Sequence, residues 1–392
     1  MKIRNLKQKR QWRGQRVLLR VDFNVPVING RIGEDYRIAA ALPTIQYLLR
    51  QGARLIIISH WGDPQGVVAA LSTRVLARRL QKLLKQPVKF IPEAIGPQVD
   101  KAVAGLKNGE IIFLENLRFY PGEKKNSSAF AKELAANADV YVNDAFSVCH
   151  REQASVSAIT RYLPAFAGRQ LVAEINNLQK ILRPAKPLVV VMGGSKISTK
   201  APIIKKLYPR ASRILLGGGL ANNFWRRQGR EIGRSLYDNE ADKIISRFFS
   251  GKKLLPKIIL PIDVIVQAAN GQSIRRELNA VKKSDKIFDI GPDSIALFCS
   301  YLKKAQTIVW NGPLGKFEEP AYKHGTLAVG TVIAARSTGH AFGLVGGGET
   351  VEALKMTKME TYVDWVSTAG GAMLSYLGGE KMPGLKNIIS AK

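Results

Sequence analysis

Apolar segments and helical patterns alternate over nearly the whole chain, and this alternation constrains the fold more than any other feature. In the first half it predicts strands at Arg16–Val21, Arg54–Ser59, Ile111–Leu114 and Val140–Asn143, and helices near Ile38–Arg50, Thr73–Leu84 and Ala129–Ala136. The second half repeats the rhythm, with strands at Leu188–Met192, Arg213–Leu216, Ile258–Leu260, Thr307–Asn311 and Ala341–Val345, and helices near Ile203–Leu207, Asn239–Phe249, Asp293–Leu302 and Tyr322–Ala335. Such alternation is typical of βαβ units, so the predicted fold class is α/β with parallel sheets covered by helices.

A length of 392 residues favours two domains or more, each with its own core. One long helical pattern, Leu171–Leu182, lies between the two halves and is closed by Pro184 and Pro187. We interpret this segment as the connector between two α/β domains.

The charge is the unusual part of the composition, with 60 basic and 30 acidic residues and a net charge of +30. Either the partners are polyanions, or the excess forms a generic solvated surface. The basic pairs are scattered along the chain, which favours the second interpretation, because a nucleic-acid site needs basic residues clustered on one face. No apolar run approaches 18 residues, so no membrane span is expected. Two distant cysteines predict neither a disulfide framework nor a thiolate metal site, and a cytoplasmic location is the expectation.

A phosphate site is indicated just before the midpoint, in Leu188–Lys200. The apolar run Leu188–Met192 reads as a buried strand, and it is followed by Gly193-Gly194 and by Lys196 and Lys200. A glycine turn that leads into a helix brings backbone N–H groups close to an anion, and the lysines add positive charge. The spacing is not that of a Walker A loop, so a P-loop NTPase is disfavoured.

Functional side chains of parallel sheets gather beyond the carboxyl ends of the strands. In the first half these ends, together with the start of the first helix, carry polar fixers and several arginines, namely Asp22, Asn24, Arg37, His60, Arg118, Asp144, His150 and Arg151. This set predicts a pocket for a small, highly charged anion.

In the second half the strand ends carry glycine instead, at Gly193-Gly194, Gly217-Gly218-Gly219, Gly312, Gly346-Gly347-Gly348 and Gly370-Gly371. Repeated glycines after strands imply close backbone approach to a flat or phosphorylated ligand, and a nucleotide fits. One domain for a small anion and one for a nucleotide suggest phosphoryl transfer, which also requires a hinge.

From Arg16 to Gly384 the chain resembles the phosphoglycerate kinase family. The resemblance is carried by segments in the family's order: Arg20–Pro26, Arg37–Ile45, Glu115–Phe119, Asn143–Phe146, Trp310–Pro313 and Gly346–Thr350. It implies two Rossmann-like parallel-sheet lobes joined by a long helix. The implied ranges are 1–169 with 377–392 packing back on them, a connector at 170–186, and a nucleotide lobe at 187–376.

The resemblance also implies a function. The family transfers a phosphoryl group reversibly between 1,3-bisphosphoglycerate and MgADP, which gives 3-phosphoglycerate and MgATP. The implied cofactors are Mg²⁺ and ATP or ADP. A monomer is expected, with no dedicated nucleic-acid partner and no membrane partner.

Matching the family's motifs residue by residue implies specific roles. The acid substrate is expected at Asp22, Asn24, Arg37, His60, Arg118 and Arg151. The nucleotide is expected at Lys196, Lys200, Gly217, Gly218, Asn311, Pro313, Glu318, Gly347, Gly348, Glu349 and Thr350, with Glu349 also the Mg²⁺ ligand. The residues expected to act in catalysis are Arg37, Lys200, Gly348 and Gly371.

Three positions depart from the family's pattern. Asp63 stands where an anion-binding arginine is expected, Glu349 stands for the Mg-associated aspartate, and Ala369 stands for a glycine. Glu349 still ligates a hard cation and Ala369 is tolerable, but Asp63 is expected to raise the KM for 3-phosphoglycerate.

A second hypothesis therefore stays open from the sequence. The chain could be a diverged, catalytically weak relative that binds polyanions or nucleic acid, as its charge and Asp63 suggest. Turnover with 3-phosphoglycerate and ATP would distinguish the kinase, whereas tight, salt-sensitive nucleic-acid binding would support the alternative.

Overall fold

Each half of the chain is built on a six-stranded parallel sheet covered by helices. The computed structural model describes residues 2–28, 31–250 and 253–390. Residues 1, 29–30, 251–252 and 391–392, which fall within the predicted lobe ranges, lie outside the described residues. Contacts divide the chain into two units: unit 1 extends up to Asn176 and includes the segment from Lys381 onward, and unit 2 is Asn177–Glu380.

Unit 1 contains strands β1 (Lys2–Ile3), β2 (Arg16–Arg20), β3 (Val27–Ile28), β4 (Arg31–Ile32), β5 (Arg54–Ile58), β6 (Lys89–Ile91), β7 (Ile111–Leu114), β8 (Val140–Asn143) and β9 (Ala165–Ala167). Its helices are α1 (Tyr36–Arg50), α2 (Arg74–Leu84), α3 (Pro97–Ala104), α4 (Pro121–Lys124) and α5 (Ser128–Ala136), and α6 (Arg169–Leu182) begins in it. The main sheet has the order β6-β7-β5-β2-β8-β9. Near the chain's end, Ile389–Ser390 pairs antiparallel with β1.

Unit 2 contains strands β10 (Leu188–Met192), β11 (Arg213–Leu216), β12 (Phe249–Ser250), β13 (Lys253–Leu254), β14 (Ile258–Ile259), β15 (Asp263–Gln267), β16 (Ser273–Glu277), β17 (Lys286–Ile290), β18 (Thr307–Asn311), β19 (Phe342–Gly346) and β20 (Trp365–Ser367). Its helices are α7 (Ile197–Leu207), α8 (Gly219–Arg227), α9 (Ala241–Ile245), α10 (Pro292–Leu302), α11 (His324–Ser337), α12 (Gly348–Met356) and α13 (Gly370–Gly378). The main sheet has the order β14-β11-β10-β18-β19-β20, and β16-β15-β17 form a separate antiparallel sheet.

Apolar strands explain why the two sheets form. All residues of β7, β8, β10 and β18 are buried, as expected for central strands covered on both faces. In unit 1 the core includes Leu19, Ile57 and Phe113. In unit 2 it includes Trp310 and Phe298. Each unit therefore has its own hydrophobic core.

The predicted α/β class with parallel sheets is confirmed. Strands β7, β8, β10, β11 and β18 have the predicted bounds, whereas α7 begins at Ile197 rather than at Ile203 and contains Pro202. Within the described residues, no helix is both long and apolar enough to cross a membrane.

Candidate active site

The polar residues predicted after the strands of unit 1 meet at one edge of its sheet. Strands β7, β5, β2 and β8 are neighbours and parallel, so the segments that follow them meet at their carboxyl ends. Asp22 and Asn24 follow β2, His60 follows β5, and Arg118 follows β7. Arg37 joins them from the first turn of α1.

Asp22 lies at the centre of this group. Its Oδ2 accepts hydrogen bonds from Arg37 Nη1 and Ser147 Oγ, and His60 Nδ1 lies 3.9 Å from its Oδ1. Burial raises the pKa of Asp22, but Arg37, His60 and Ser147 outweigh burial and hold it below the ordinary value. The charged Asp22 carboxylate therefore fixes the Arg37 side chain at the sheet edge.

His60 is held in the neutral form. Burial and the neighbouring Arg20 lower its pKa to about 3. Arg20 is fully buried, and its Nη2 lies 3.1 Å from His60 Nδ1. The cationic guanidinium can only donate, so Nδ1 accepts and the proton of the neutral ring is on Nε2. Ser155 Oγ orients Arg20 by accepting from its Nε at 2.9 Å.

Arg118 has unused hydrogen-bonding capacity. Its side chain is 3% exposed, and its buried Nε and Nη2 have no hydrogen-bond partner among the described residues. Burial lowers the pKa of this guanidinium from its ordinary value, because a charged group is being kept from water. A buried cation with unsatisfied donors is completed by an anionic acceptor, and a phosphate or carboxylate supplies one.

Asp63 lies against this same arginine. Its Oδ1 accepts from Arg118 Nη1, and Lys124 Nζ lies 2.5 Å from the same oxygen. The Asp63 side chain is 66% exposed, and the hydrogen bond from Lys124, followed by the charge of Arg118, lowers its pKa despite slight burial. The carboxylate that departs from the family's pattern thus occupies one donor of Arg118.

Two other predicted residues, Arg151 and Asp144, do not contact Asp22 as Arg37 and His60 do. Arg151 is exposed, and its Nε lies 3.3 Å from His150 Nε2. The positive charge of Arg151 is near enough to His60 and Arg118 to lower the pKa of both. Asp144 does not face the anion group; its Oδ1 accepts from the N–H groups of Gln170 and Leu171 at the start of α6. The polar residues missed from the sequence are Arg20, Lys124 and Ser147, which carry no motif signal of their own beyond the quoted Arg20–Pro26 segment.

In unit 2 the glycine turns border a cavity of about 420 Å³. Of the predicted nucleotide residues, Gly218, Pro313, Glu318 and Glu349 line it. Its walls also include residues that the sequence analysis did not identify, among them Asn222, Trp225, Leu236, Phe288, Asp289 and Lys316. One apolar wall and several backbone groups suit a flat ring system.

Glycine is required here by close backbone approach. A Cβ on Gly193 would lie 1.9 Å from the Pro313 carbonyl oxygen. Gly312 has a φ of +91° and its Cβ would lie 2.3 Å from the Gly193 oxygen. The turns after β10 and β18 therefore touch through backbone alone, and the Gly194 N–H donates to the Pro313 carbonyl oxygen across this contact at 2.9 Å.

Five further predicted residues form a second group beyond the carboxyl ends of β10, β18 and β19: Lys200, Asn311, Gly347, Gly348 and Thr350. Lys200 Nζ donates to Asn311 Oδ1, and the Gly312 N–H donates to Thr350 Oγ1 at 2.7 Å. Burial lowers the pKa of Lys200 to about 8, although the Glu349 carboxylate opposes this shift. Lys200 is therefore a partly buried cation that an anionic ligand would stabilise.

Helix starts surround this group. Helix α12 begins at Gly348 after Gly347, whose φ is +102°. Helix α13 begins at Gly370, and a Cβ on Gly370 would lie 3.3 Å from Gly347 Cα, so the two N-termini are adjacent. Ala369 has a φ of −117°, which an alanine adopts without strain, so this departure leaves the helix start intact. Adjacent helix N-termini offer N–H groups to phosphate oxygens.

Three other predicted residues belong neither to the cavity lining nor to this second group. Gly217 packs against Leu314: a Cβ on Gly217 would lie 2.6 Å from Leu314 Cδ2. Lys196 is exposed at the N-cap of α7, and Gly371 is exposed in the first turn of α13. The structure thus does not bring the predicted nucleotide residues into one pocket lining but into a cavity and an adjoining set of strand and helix ends.

A Mg²⁺ site fits this geometry only with help from a ligand. No cluster of three or more His, Cys, Asp and Glu side chains suited to a metal occurs in the described part of the chain. Glu349 is exposed in the first turn of α12 and lines the cavity. Mg²⁺ is commonly held by one or two carboxylates together with substrate phosphates, so a single Glu349 fits.

An arginine-rich sheet edge in one unit and a glycine-walled cavity with a buried lysine in the other define an α/β phosphotransferase that uses a nucleotide. The family model for phosphoglycerate kinase matches residues 7–380. Phosphoglycerate kinases of Wolbachia pipientis and Borrelia turicatae are 41% and 42% identical to this chain over 379 residues, covering 95% of it and 96% of each relative.

Solved structures agree with these relatives. The phosphoglycerate kinase from Coxiella burnetii superposes with a TM-score of 0.85 at 36% identity and covers 99% of both chains. That from Pyrococcus horikoshii gives 0.83 at 31% identity over 98% of both. The chain belongs to the phosphoglycerate kinase family, and its activity is the family's glycolytic phosphoryl transfer between 1,3-bisphosphoglycerate and ADP.

Proposed function

We propose that the sheet edge of unit 1 binds the phosphoglycerate and that the cavity of unit 2, with its neighbouring helix starts, binds ATP or ADP with Mg²⁺. The observation that carries the first part is the buried Arg118 guanidinium, whose Nε and Nη2 have no partner among the described residues. A phosphate placed there would satisfy both groups at once through charge-assisted hydrogen bonds.

Residues at the acid-substrate edge have two functions: some bind the substrate, and others hold the site in position. Arg118 and Arg151 supply charge for the substrate's anionic groups, and neutral His60 offers an Nε2–H donor. Asn24 holds the loop, because its Oδ1 accepts from the Gly62 N–H at 2.9 Å. Asp22 repels substrate oxygens, so its role is to hold Arg37 toward the reacting carboxyl-phosphate group.

In unit 2, we assign roles to the residues from the charge that develops in the transition state. Phosphoryl transfer places charge on the equatorial oxygens of the transferring group, so cations and N–H donors stabilise it more than a nucleophile would. Lys200 supplies a cation that is poorly hydrated, and the N–H groups near Gly348 and Gly371 point from helix N-termini. Glu349 would hold Mg²⁺, which when bound neutralises nucleotide phosphate charge. Arg37 would supply the opposing cation.

The test is a coupled assay in which ATP and 3-phosphoglycerate yield 1,3-bisphosphoglycerate and NADH oxidation is followed. Lys200→Ala and Arg37→Ala should each lower kcat by about 10²- to 10³-fold, the loss typical of removing one transition-state donor. Lys303→Ala, at an exposed lysine of unit 2, is the matched control and should leave kcat unchanged.

Equal turnover of Lys200→Ala and the unaltered protein would refute the proposed role of Lys200. Absence of turnover in the unaltered protein at saturating substrate would instead favour the weakly catalytic, polyanion-binding alternative.

The proposal includes closure about the connector, a monomeric state and a cytoplasmic location. Transfer requires the reacting groups of both substrates to meet, so both ligands together should compact the protein more than either alone. Small-angle scattering in the free, singly bound and doubly bound states measures this; an unchanged radius of gyration would contradict closure. The same data give the mass and so test the monomer.

A further inference from the structure

A second cavity in unit 2, of about 660 Å³, is lined by a convergent group of cations. We call it the α7 cavity, because α7 forms one wall. The charged side chains in its lining are Lys205, Lys206, Arg210 and Arg247, and no Asp or Glu lines it. Its lining shares no residue with the nucleotide cavity described above.

These four cations are not neutralised within the protein. Elsewhere in unit 2, Arg275, Arg276 and Lys316 have carboxylate partners. Across the described ranges 2–28, 31–250 and 253–390, none of the ion pairs includes a cation of the α7 cavity. Like charges around one concavity repel each other, and a bound anion relieves that repulsion.

Contacts with the backbone orient two of these side chains, Arg210 and Lys206. Arg210 donates through Nε to the Leu182 carbonyl oxygen at 3.0 Å and through Nη1 to the Lys206 carbonyl oxygen at 3.1 Å. Its Nη2 makes no hydrogen bond with a described residue. Lys206 Nζ would lie 3.2 Å from a Cβ on Gly379, so its amino group lies close over the backbone at the end of α13. Pre-oriented cations lose less side-chain entropy on binding a ligand.

The remaining walls are apolar or small. They include Pro202, Pro209, the buried Phe248 and Gly378. Gly378 packs closely here, because a Cβ on it would lie 3.2 Å from Pro202 Cβ. Four cations gathered with small and apolar side chains around one concavity suit a compact, multiply charged anion better than a long, uniformly charged backbone.

We propose that the α7 cavity is an anion site, separate from the nucleotide site, for a small ligand with several linked phosphate groups. The volume holds a chain of a few phosphates, and the number of cations matches the charge of such a chain. The ligand is a free oligophosphate rather than a nucleic acid, because the cations converge on one concavity and do not form a stripe along the surface.

Inorganic tripolyphosphate is the probe, and isothermal titration without divalent ions is the measurement. The test variant is Lys205→Gln/Lys206→Gln/Arg247→Gln, and the control is Lys283→Gln/Lys303→Gln/Lys304→Gln, which removes three exposed positive charges elsewhere in unit 2. Neither set lies in the nucleotide cavity, so binding there contributes equally to all three proteins. We expect tripolyphosphate binding at the α7 cavity to weaken at least about tenfold in the test variant only.

A localised measurement accompanies the titration. Tripolyphosphate should protect Lys205 and Lys206 from an amine-reactive reagent, read by mass spectrometry, and should not protect Lys303 and Lys304. Equal binding by the test and control variants, or equal protection of the two lysine pairs, would overturn the site. Protection of Lys205 and Lys206 by a single-stranded oligonucleotide but not by tripolyphosphate would overturn its assignment to a small ligand.

Discussion

Replacing Asp63 by asparagine should lower the KM for 3-phosphoglycerate. Asp63 occupies Arg118 Nη1, and its charge lies beside the Nε and Nη2 groups that are open to a substrate anion. A unit negative charge about 5 Å from another contributes about 3 kcal/mol of repulsion at an effective dielectric of 20 and about 0.8 kcal/mol in water. Because the Asp63 side chain is 66% exposed, the value near water applies. About 1 kcal/mol corresponds to roughly a fivefold change in affinity.

The assay compares KM values for 3-phosphoglycerate and for ATP in the unaltered protein and Asp63→Asn. We expect about a fivefold lower KM for the acid substrate and no change for ATP. The effect should persist from pH 6 to 9, because the pKa of Asp63 is lowered and the carboxylate is charged throughout. It should shrink with added salt, which screens an exposed charge. Asp63→Arg should act in the same direction.

Asp139→Asn is the matched control. Asp139 also pairs with an arginine of unit 1, Arg16, but at the start of β2 and so at the opposite edge of the sheet. An unchanged KM for 3-phosphoglycerate in Asp63→Asn would refute the reasoning. So would an equal decrease in Asp139→Asn, which would point to net charge alone. Lys124→Gln completes the set: a raised KM would show that Lys124 already serves as the missing cation.

Three further predictions concern unit 2. The kcat/KM for ATP should fall above about pH 8, because burial lowers the pKa of Lys200 to about 8 and the neutral amine loses its attraction for phosphate; a profile flat to pH 9.5 would contradict this. Burial raises the pKa of Asp289 to about 7, so the folded state holds a proton that the unfolded state releases. The free energy of unfolding in urea should therefore fall from about pH 4 to pH 7, and Asp289→Asn should flatten this fall; an unchanged slope would argue against it. Gly193→Ala should destabilise the fold by about 3 kcal/mol, because its Cβ would lie 1.9 Å from the Pro313 oxygen, whereas Gly348→Ala, with nothing within 4 Å, should unfold at an unchanged urea midpoint.

The parts of the fold that the sequence predicts best are the buried central strands. Leu188–Met192 and Thr307–Asn311 are unbroken apolar runs, and both are strands with those bounds. The antiparallel sheet was not predicted, because its edge strand Ser273–Glu277 alternates between exposed and half-buried residues and contains little apolar sequence. The prediction for helix α7, from Ile203, is too short, because the helix begins at Ile197 and continues through Pro202.

At the site, motifs identified the residues next to strand ends but not those brought there by tertiary structure. Trp225 reaches the cavity that we propose for the nucleotide from α8, and Asp289 reaches it from β17 of the separate antiparallel sheet. Asp63 is another example, because the sequence does not show in which direction a side chain points. The sequence indicated a carboxylate near an anion site, yet only the structure shows that it pairs with Arg118 and Lys124.

The charge can be counted from the sequence, but its arrangement cannot. With 60 basic and 30 acidic residues, the cations outnumber the carboxylates two to one however the chain folds. An unpaired lysine is therefore no sign of a site in this protein. What distinguishes the α7 cavity is that four such cations, from α7 and from the segments after α7 and α9, converge on one concavity that no acidic residue lines. Because residues distant in sequence produce this convergence, scattered basic pairs in the sequence do not exclude a localised anion site.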